Sequence, residues 1–131
     1  MFVDASAAIS ILSGEEDAAE LAARLDTAPV VMMSPMSIYE TVAGLARKRQ
    51  CPIDEAEAMV DFFISETSAT VIDVDDKVGR VAITAFAHFG KGRHPADLNM
   101  GDCFAYACAQ VHGVPLLYRG NDFVHTDIPA A

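Results

Sequence analysis

Residues 30–40 read Val-Val-Met-Met-Ser-Pro-Met-Ser-Ile-Tyr-Glu, an apolar run that ends in Ser34-Pro35 and passes straight into a helical pattern. Val30 to Met33 predicts a buried strand. Ser34 has the side chain of a helix N-cap and Pro35 suits the first helical position, so a helix starts where the strand stops and runs to the cationic Arg47-Lys48-Arg49. A strand that feeds a helix without a hairpin turn belongs to a crossover unit, and such units build parallel sheets.

The same alternation extends in both directions. Upstream, Phe2-Val3 predicts a short strand, followed by Asp4, an Ala-rich helix through Leu12, a break at Ser13-Gly14 and a second helix from Glu16 to about Asp26. Downstream, Asp54-x-x-Glu57 has the form of a capping box for the next helix, and Thr70 to Val74 predicts a third strand. Asp75 or Asp76 caps a helix that Gly90 stops, and a Gly/His/Pro-rich loop spans Lys91 to Asn99. Gly101-Asp102 opens a helix closed by Gly113, and Pro115 to Tyr118 is a fourth strand leading to Arg119-Gly120-Asn121-Asp122. The expected class is α/β, a mostly parallel sheet covered by helices on both faces, in a single domain over residues 1–131.

Composition narrows the function classes. Apolar residues make up 52% of the 131, which a disordered chain does not carry. No stretch reaches the roughly eighteen uncharged apolar residues of a membrane helix, and the opening MFVDAS lacks the parts of a signal peptide, so a cytoplasmic protein is expected. Three cysteines without a C-x-x-C pair signal neither a disulfide framework nor a zinc knuckle. A formal net charge of −10 repels a polyanion at long range, so any nucleic-acid contact has to be local.

In a parallel sheet every strand ends, and every following helix begins, on one edge, where open α/β folds place their ligands. Asp4 follows the first strand, Glu40 lies in the first two turns of the helix after the second, Asp102 starts the helix before the fourth, and Asp122 follows the fourth. Carboxylates crowded there repel one another, and a divalent cation held by hard oxygen ligands, magnesium or manganese, is the simplest resolution. Topology alone also admits Asp75 and Asp76, for which a helix-capping role suffices. Ser6 either adds a hydroxyl to the site or caps the first helix.

The segments FVDASA, SPMSIYETVAGL, LNMGDCFAYACA and PLLYRGNDFVHTDI, in this order and spacing, resemble PIN domains, in particular the VapC-type toxins of bacterial toxin–antitoxin pairs. The likeness spans nearly the whole chain except Arg49 to Thr70. It implies a PIN-like three-layer α/β/α fold and an acidic tetrad of Asp4, Glu40, Asp102 and Asp122, with Asp4 and Asp102 as direct metal ligands and Asn121 and Asp127 bordering the site. It further implies magnesium- or manganese-dependent endonucleolytic cleavage of RNA to 5′-phosphate and 3′-hydroxyl ends, a small antitoxin partner and a homodimer.

The four histidines show no paired spacing and none is required as a base, although His94 is kept as a substrate contact. The basic groups Arg47-Lys48-Arg49 and Lys91/Arg93 are candidates for RNA phosphate contacts, against the plainer readings of a dipole-complementing helix end and a solvated loop. Two rivals remain: a PIN-like module that binds a partner without catalysis, and a receiver-type phosphotransfer domain. The second lacks a lysine after the fourth strand.

Overall fold

Neighbouring residues of a strand face opposite sides of a sheet, and Phe2 and Val3 divide accordingly between two separate cores. In the computed structural model, which describes residues 1–131, β1 (Phe2–Val3), β2 (Met32–Met33), β3 (Thr70–Val71) and β4 (Leu116–Leu117) form one sheet of order β3-β2-β1-β4. All three pairings are parallel, with Phe2 beside both Met32 and Leu116. Six helices link and cover the strands: α1 (Ala5–Ser13), α2 (Ala18–Asp26), α3 (Pro35–Arg49), α4 (Ile53–Glu66), α5 (Asp76–Phe89) and α6 (Met100–His112). Phe2 and Leu116 pack with α5 and α6 on one face, and Val3, Met33 and Leu117 with α1 and α2 on the other. The predicted α/β/α layering is present.

Three strands are shorter than their apolar runs. Val30, Val31, Ile72 and Pro115 each make only one backbone bond to a neighbouring segment, and Asp73, Val74 and Tyr118 make none, since the apolar pattern records burial while a strand requires continued pairing. Beyond the last helix, Leu116 donates its amide to the Pro129 carbonyl and accepts from the Ala131 amide, so the chain's end covers the free edge of β4.

The helix starts explain how the site is placed. Ser34 caps α3 by accepting from the Ser37 amide, and Ser37 Oγ returns a bond to the Ser34 amide, a full capping box. Asp75, rather than Asp76, caps α5 through the Val78 amide. The box expected at Asp54 does not form: α4 begins at Ile53 with Pro52 as its cap, and Asp54 bonds only to the neighbouring Glu55 amide. Pro52 is already extended and lacks an amide hydrogen to be capped, which displaces the start by two residues. For α6 the cap is Asn99, two residues before the expected opening at Gly101.

Candidate active site

Asp4 is 5% exposed at the carboxyl end of β1, with its amide donating to the Leu117 carbonyl of β4. It is the N-cap of α1: its Oδ2 accepts from the Ser6 amide at 3.0 Å and the Ser6 hydroxyl at 2.5 Å. Asp4 is thus the cap, and Ser6 its hydrogen-bond partner. Burial pushes the Asp4 carboxyl up from its ordinary range, the Ser6 and Ala5 contacts oppose this, and the charge of Asp122 adds to it.

Glu40 lies in the second turn of α3, half-buried, and its carboxylate fills the space beside the bare Cα of Gly101. Burial first, then the charges of Asp4 and Asp102, raise it to about 7. Asp102 completes a second capping box, its amide donating to Asn99 Oδ1 at 2.9 Å and its Oδ2 accepting from the Asn99 amide at 3.0 Å. Burial raises Asp102 to about 6; the Asn99 bond opposes the shift, and Asp4, Asp122 and Asp97 reinforce it. Asp122, exposed, precedes a single 3-10 turn (Phe123–His125) anchored by the buried Phe123, which packs on Tyr118 at 5.1 Å between ring centroids.

Charges from separate segments therefore meet here: Asp4 and Asp102 bear on Glu40, Asp4 and Asp122 on Asp102, and Asp122 on Asp4. None has an ion-pair partner: the chain's salt bridges all involve Glu15, Asp17, Glu20 or Asp76. The donor set is hard oxygen throughout. No three His, Cys, Asp or Glu side chains stand close enough to hold one ion by direct contact of all three. Magnesium does not require that, since it keeps several waters and takes one or two carboxylates directly. By donor chemistry and unbalanced charge, the residues fit such an ion.

The chain matches the PIN domain family over residues 1–129. It is 42% identical over 139 residues to a VapC ribonuclease of Rhizobium meliloti, covering 97% of this chain and 98% of that protein. It is also 42% identical over 132 residues to ribonuclease VapC42 of Mycobacterium tuberculosis, covering 100% and 98%. The chain belongs to the PIN-domain family of VapC ribonucleases. Its fold is that of Mycobacterium tuberculosis VapC20, described as a sarcin-ricin loop cleaving toxin, with a TM-score of 0.76 at 20% identity over 99% of this chain and 97% of that one. A toxin–antitoxin complex from Klebsiella pneumoniae contains a chain matching with a TM-score of 0.71 at 20% identity, over 96% and 92%.

The remaining candidates of this PIN domain are dispersed. Asp127 accepts from the Tyr106 hydroxyl at 2.6 Å and lines a groove with Gln110, Gly113 and Pro129, at the other end of α6 from Asp102. Asn121 is exposed beside Asp122. His94 Nδ1 accepts from the Ala96 amide, with its ring edge-on to Phe89, an internal role in its loop. Lys48 is paired with Glu15, and Arg49 reaches the Leu12 carbonyl at 3.5 Å. The Arg93 guanidinium lies 5.4 Å from the Phe86 ring centroid. Arg47 and Lys91 are exposed and form no ion pair. Sequence reasoning missed Asn99, although Asn99-x-x-Asp102 has capping-box form, and Asp97, which sits near enough to Asp102 to raise it.

Proposed function

We infer that this VapC-family chain is a magnesium- or manganese-dependent endoribonuclease, the toxin of a toxin–antitoxin pair, working in the cytoplasm. The observation that carries the reading is a set of carboxylates from four segments, Asp4 among them buried, in which acidic neighbours add to the burial that raises Asp4, Glu40 and Asp102, with no basic side chain paired to any of them. A divalent ion bound there supplies Lewis-acid polarisation of a phosphodiester and a more acidic water.

The chain's own residues do the rest. Asp4 and Asp102 each spend one carboxylate oxygen on a local cap, Asp4 on Ser6 and Asp102 on Asn99, and keep the other for the site as metal ligands. Both oxygens are held in orientation by those caps, so little reorganisation remains when the ion and substrate arrive. Glu40, which the charges of Asp4 and Asp102 reach, and Asp122, whose charge reaches Asp4 and Asp102, hold or position water in this reading. Glu40 near neutrality is suited to exchanging a proton with that water. Hydrolysis leaves 5′-phosphate and 3′-hydroxyl ends.

Arg47 and Lys91, exposed and engaged in no ion pair, are the candidates for RNA phosphate contacts from the two basic groups. The names of the relatives and the Klebsiella complex support a small antitoxin as partner; a homodimer is part of the same reading. The test is incubation of the purified, partner-free protein with total bacterial RNA. Cleavage with 5′-phosphate ends is expected with magnesium or manganese and none with chelator. Cleavage indifferent to chelator would overturn the reading.

A further inference from the structure

Arg119, which follows β4 three residues before Asp122, sends its guanidinium to the turn between α1 and α2, where NH1 pairs with Glu15 and Nε with Asp17, the latter at 2.9 Å. Glu15 is only 11% exposed at its side chain and is flanked on its other oxygen by Lys48 from the last turn of α3. Asp17 also accepts from the hydroxyl of Ser10, which is fully buried in α1. A nearly buried carboxylate is tolerated where cations compensate it, and here two do. The planar guanidinium fork, fixed at two carboxylates, holds Arg119 in one orientation.

The backbone of the same residue reaches the site. The Arg119 amide donates to Ser6 Oγ at 3.0 Å, and Ser6 Oγ donates to Asp4 Oδ2 at 2.5 Å. Because the hydroxyl accepts the Arg119 N–H, its single proton is free to point only elsewhere, and it points at Asp4. We propose that Arg119, clamped by Glu15 and Asp17, is a positioning residue: it fixes the segment carrying Asp122 and, through Ser6, the orientation of the Asp4 carboxylate. The proposal rests on the ribonuclease reading for its effect on rate, but its structural half stands apart from it.

The opposite role for Arg119, a direct RNA phosphate contact, makes an opposite prediction. Freed from its acids, a phosphate-binding Arg119 binds RNA more tightly, so Asp17→Asn lowers KM. A positioning Arg119 released from Asp17 lets the segment move, so Asp17→Asn lowers kcat about ten- to a hundredfold with KM unchanged. Arg119→Ala then gives the same fall, and the double variant is no worse than either single one.

The experiment measures initial rates on total bacterial RNA with manganese for wild type, Asp17→Asn, Arg119→Ala and the double variant, alongside amide hydrogen exchange of residues 119–122 in the same full-length proteins. Faster exchange at these amides in Asp17→Asn, with α6 protection unchanged, supports the clamp even if wild type cleaves nothing, an outcome that would sink only the ribonuclease reading. Unaltered exchange at 119–122, or unaltered kcat in Asp17→Asn beside an active wild type, overturns the proposal. Asp17→Asn, at a partly exposed acid, keeps the test available if Arg119→Ala does not fold.

Discussion

The Glu40 carboxylate occupies the space that a Cβ on residue 101 would take, so Gly101 of α6 and Glu40 of α3 are matched in shape. The glycine is what allows two acid-bearing helices to approach.

Gly101→Ala tests that relationship. The obstruction is the far end of a flexible side chain, so the fold accommodates the methyl by moving Glu40, and alanine's better helix propensity offsets the shift by up to about 1 kcal/mol. The melting temperature is expected to stay level or rise slightly while RNA cleavage falls about tenfold or more. Full activity in a folded Gly101→Ala protein would show that Glu40's position is immaterial.

Glu40 also makes a prediction about pH. Its pKa is lifted from an ordinary 4.5 to about 7, chiefly by burial, so between these values the folded protein binds more protons than the unfolded one. Stability of the metal-free protein therefore falls as pH rises through this window, and the penalty is complete above about 7. Thermal melts at pH 5 and pH 8 in chelator should show a larger drop for wild type than for Glu40→Gln, and magnesium should reduce that drop. Equal drops in the two proteins would count against the charge cluster.

The capping box of α6 couples stability to the site. Asn99→Ala removes the acceptor for the Asp102 amide, and loss of such a cap costs about 1 kcal/mol. Because Asp102 Oδ2 rests on the Asn99 amide in the same box, activity is expected to fall further than the small loss of stability explains. Asn99→Asp, which keeps the cap, should restore the melting temperature. Unchanged activity in Asn99→Ala would make the box purely structural.

What was legible in the sequence was what depends on neighbours along the chain. Ser34-Pro35, Gly14, Gly113 and the alternation of apolar runs with helical spacing were readable because caps and periodicity are local. The α/β class and the shared edge of the acids followed from them. Strand lengths were not, since Val74 and Tyr118 are apolar for packing and have no ladder to join. The start of α4 is set by Pro52 and not by the box-like Asp54-x-x-Glu57, and α6 starts from Asn99, two residues ahead of Gly101. The role of Lys48 depends on Glu15, and the position of Asp127 on Tyr106, pairs far apart in sequence that only the folded chain brings together. Which four acids share the space, among six on strand ends and helix starts, was read from family likeness. The choice of these four rests on that likeness, while Asp75 is engaged in capping α5.

The measurement that bears most directly on the metal-dependent four-carboxylate site compares wild type with Asp4→Asn, each purified free of partner, on total bacterial RNA at saturating manganese, with a melt of each protein in chelator. Asparagine keeps the N-cap of α1 and removes a buried charge, so Asp4→Asn is expected to melt at or above the wild-type temperature while cleavage falls at least about a hundredfold. Wild-type cleavage by a folded Asp4→Asn protein would contradict the account.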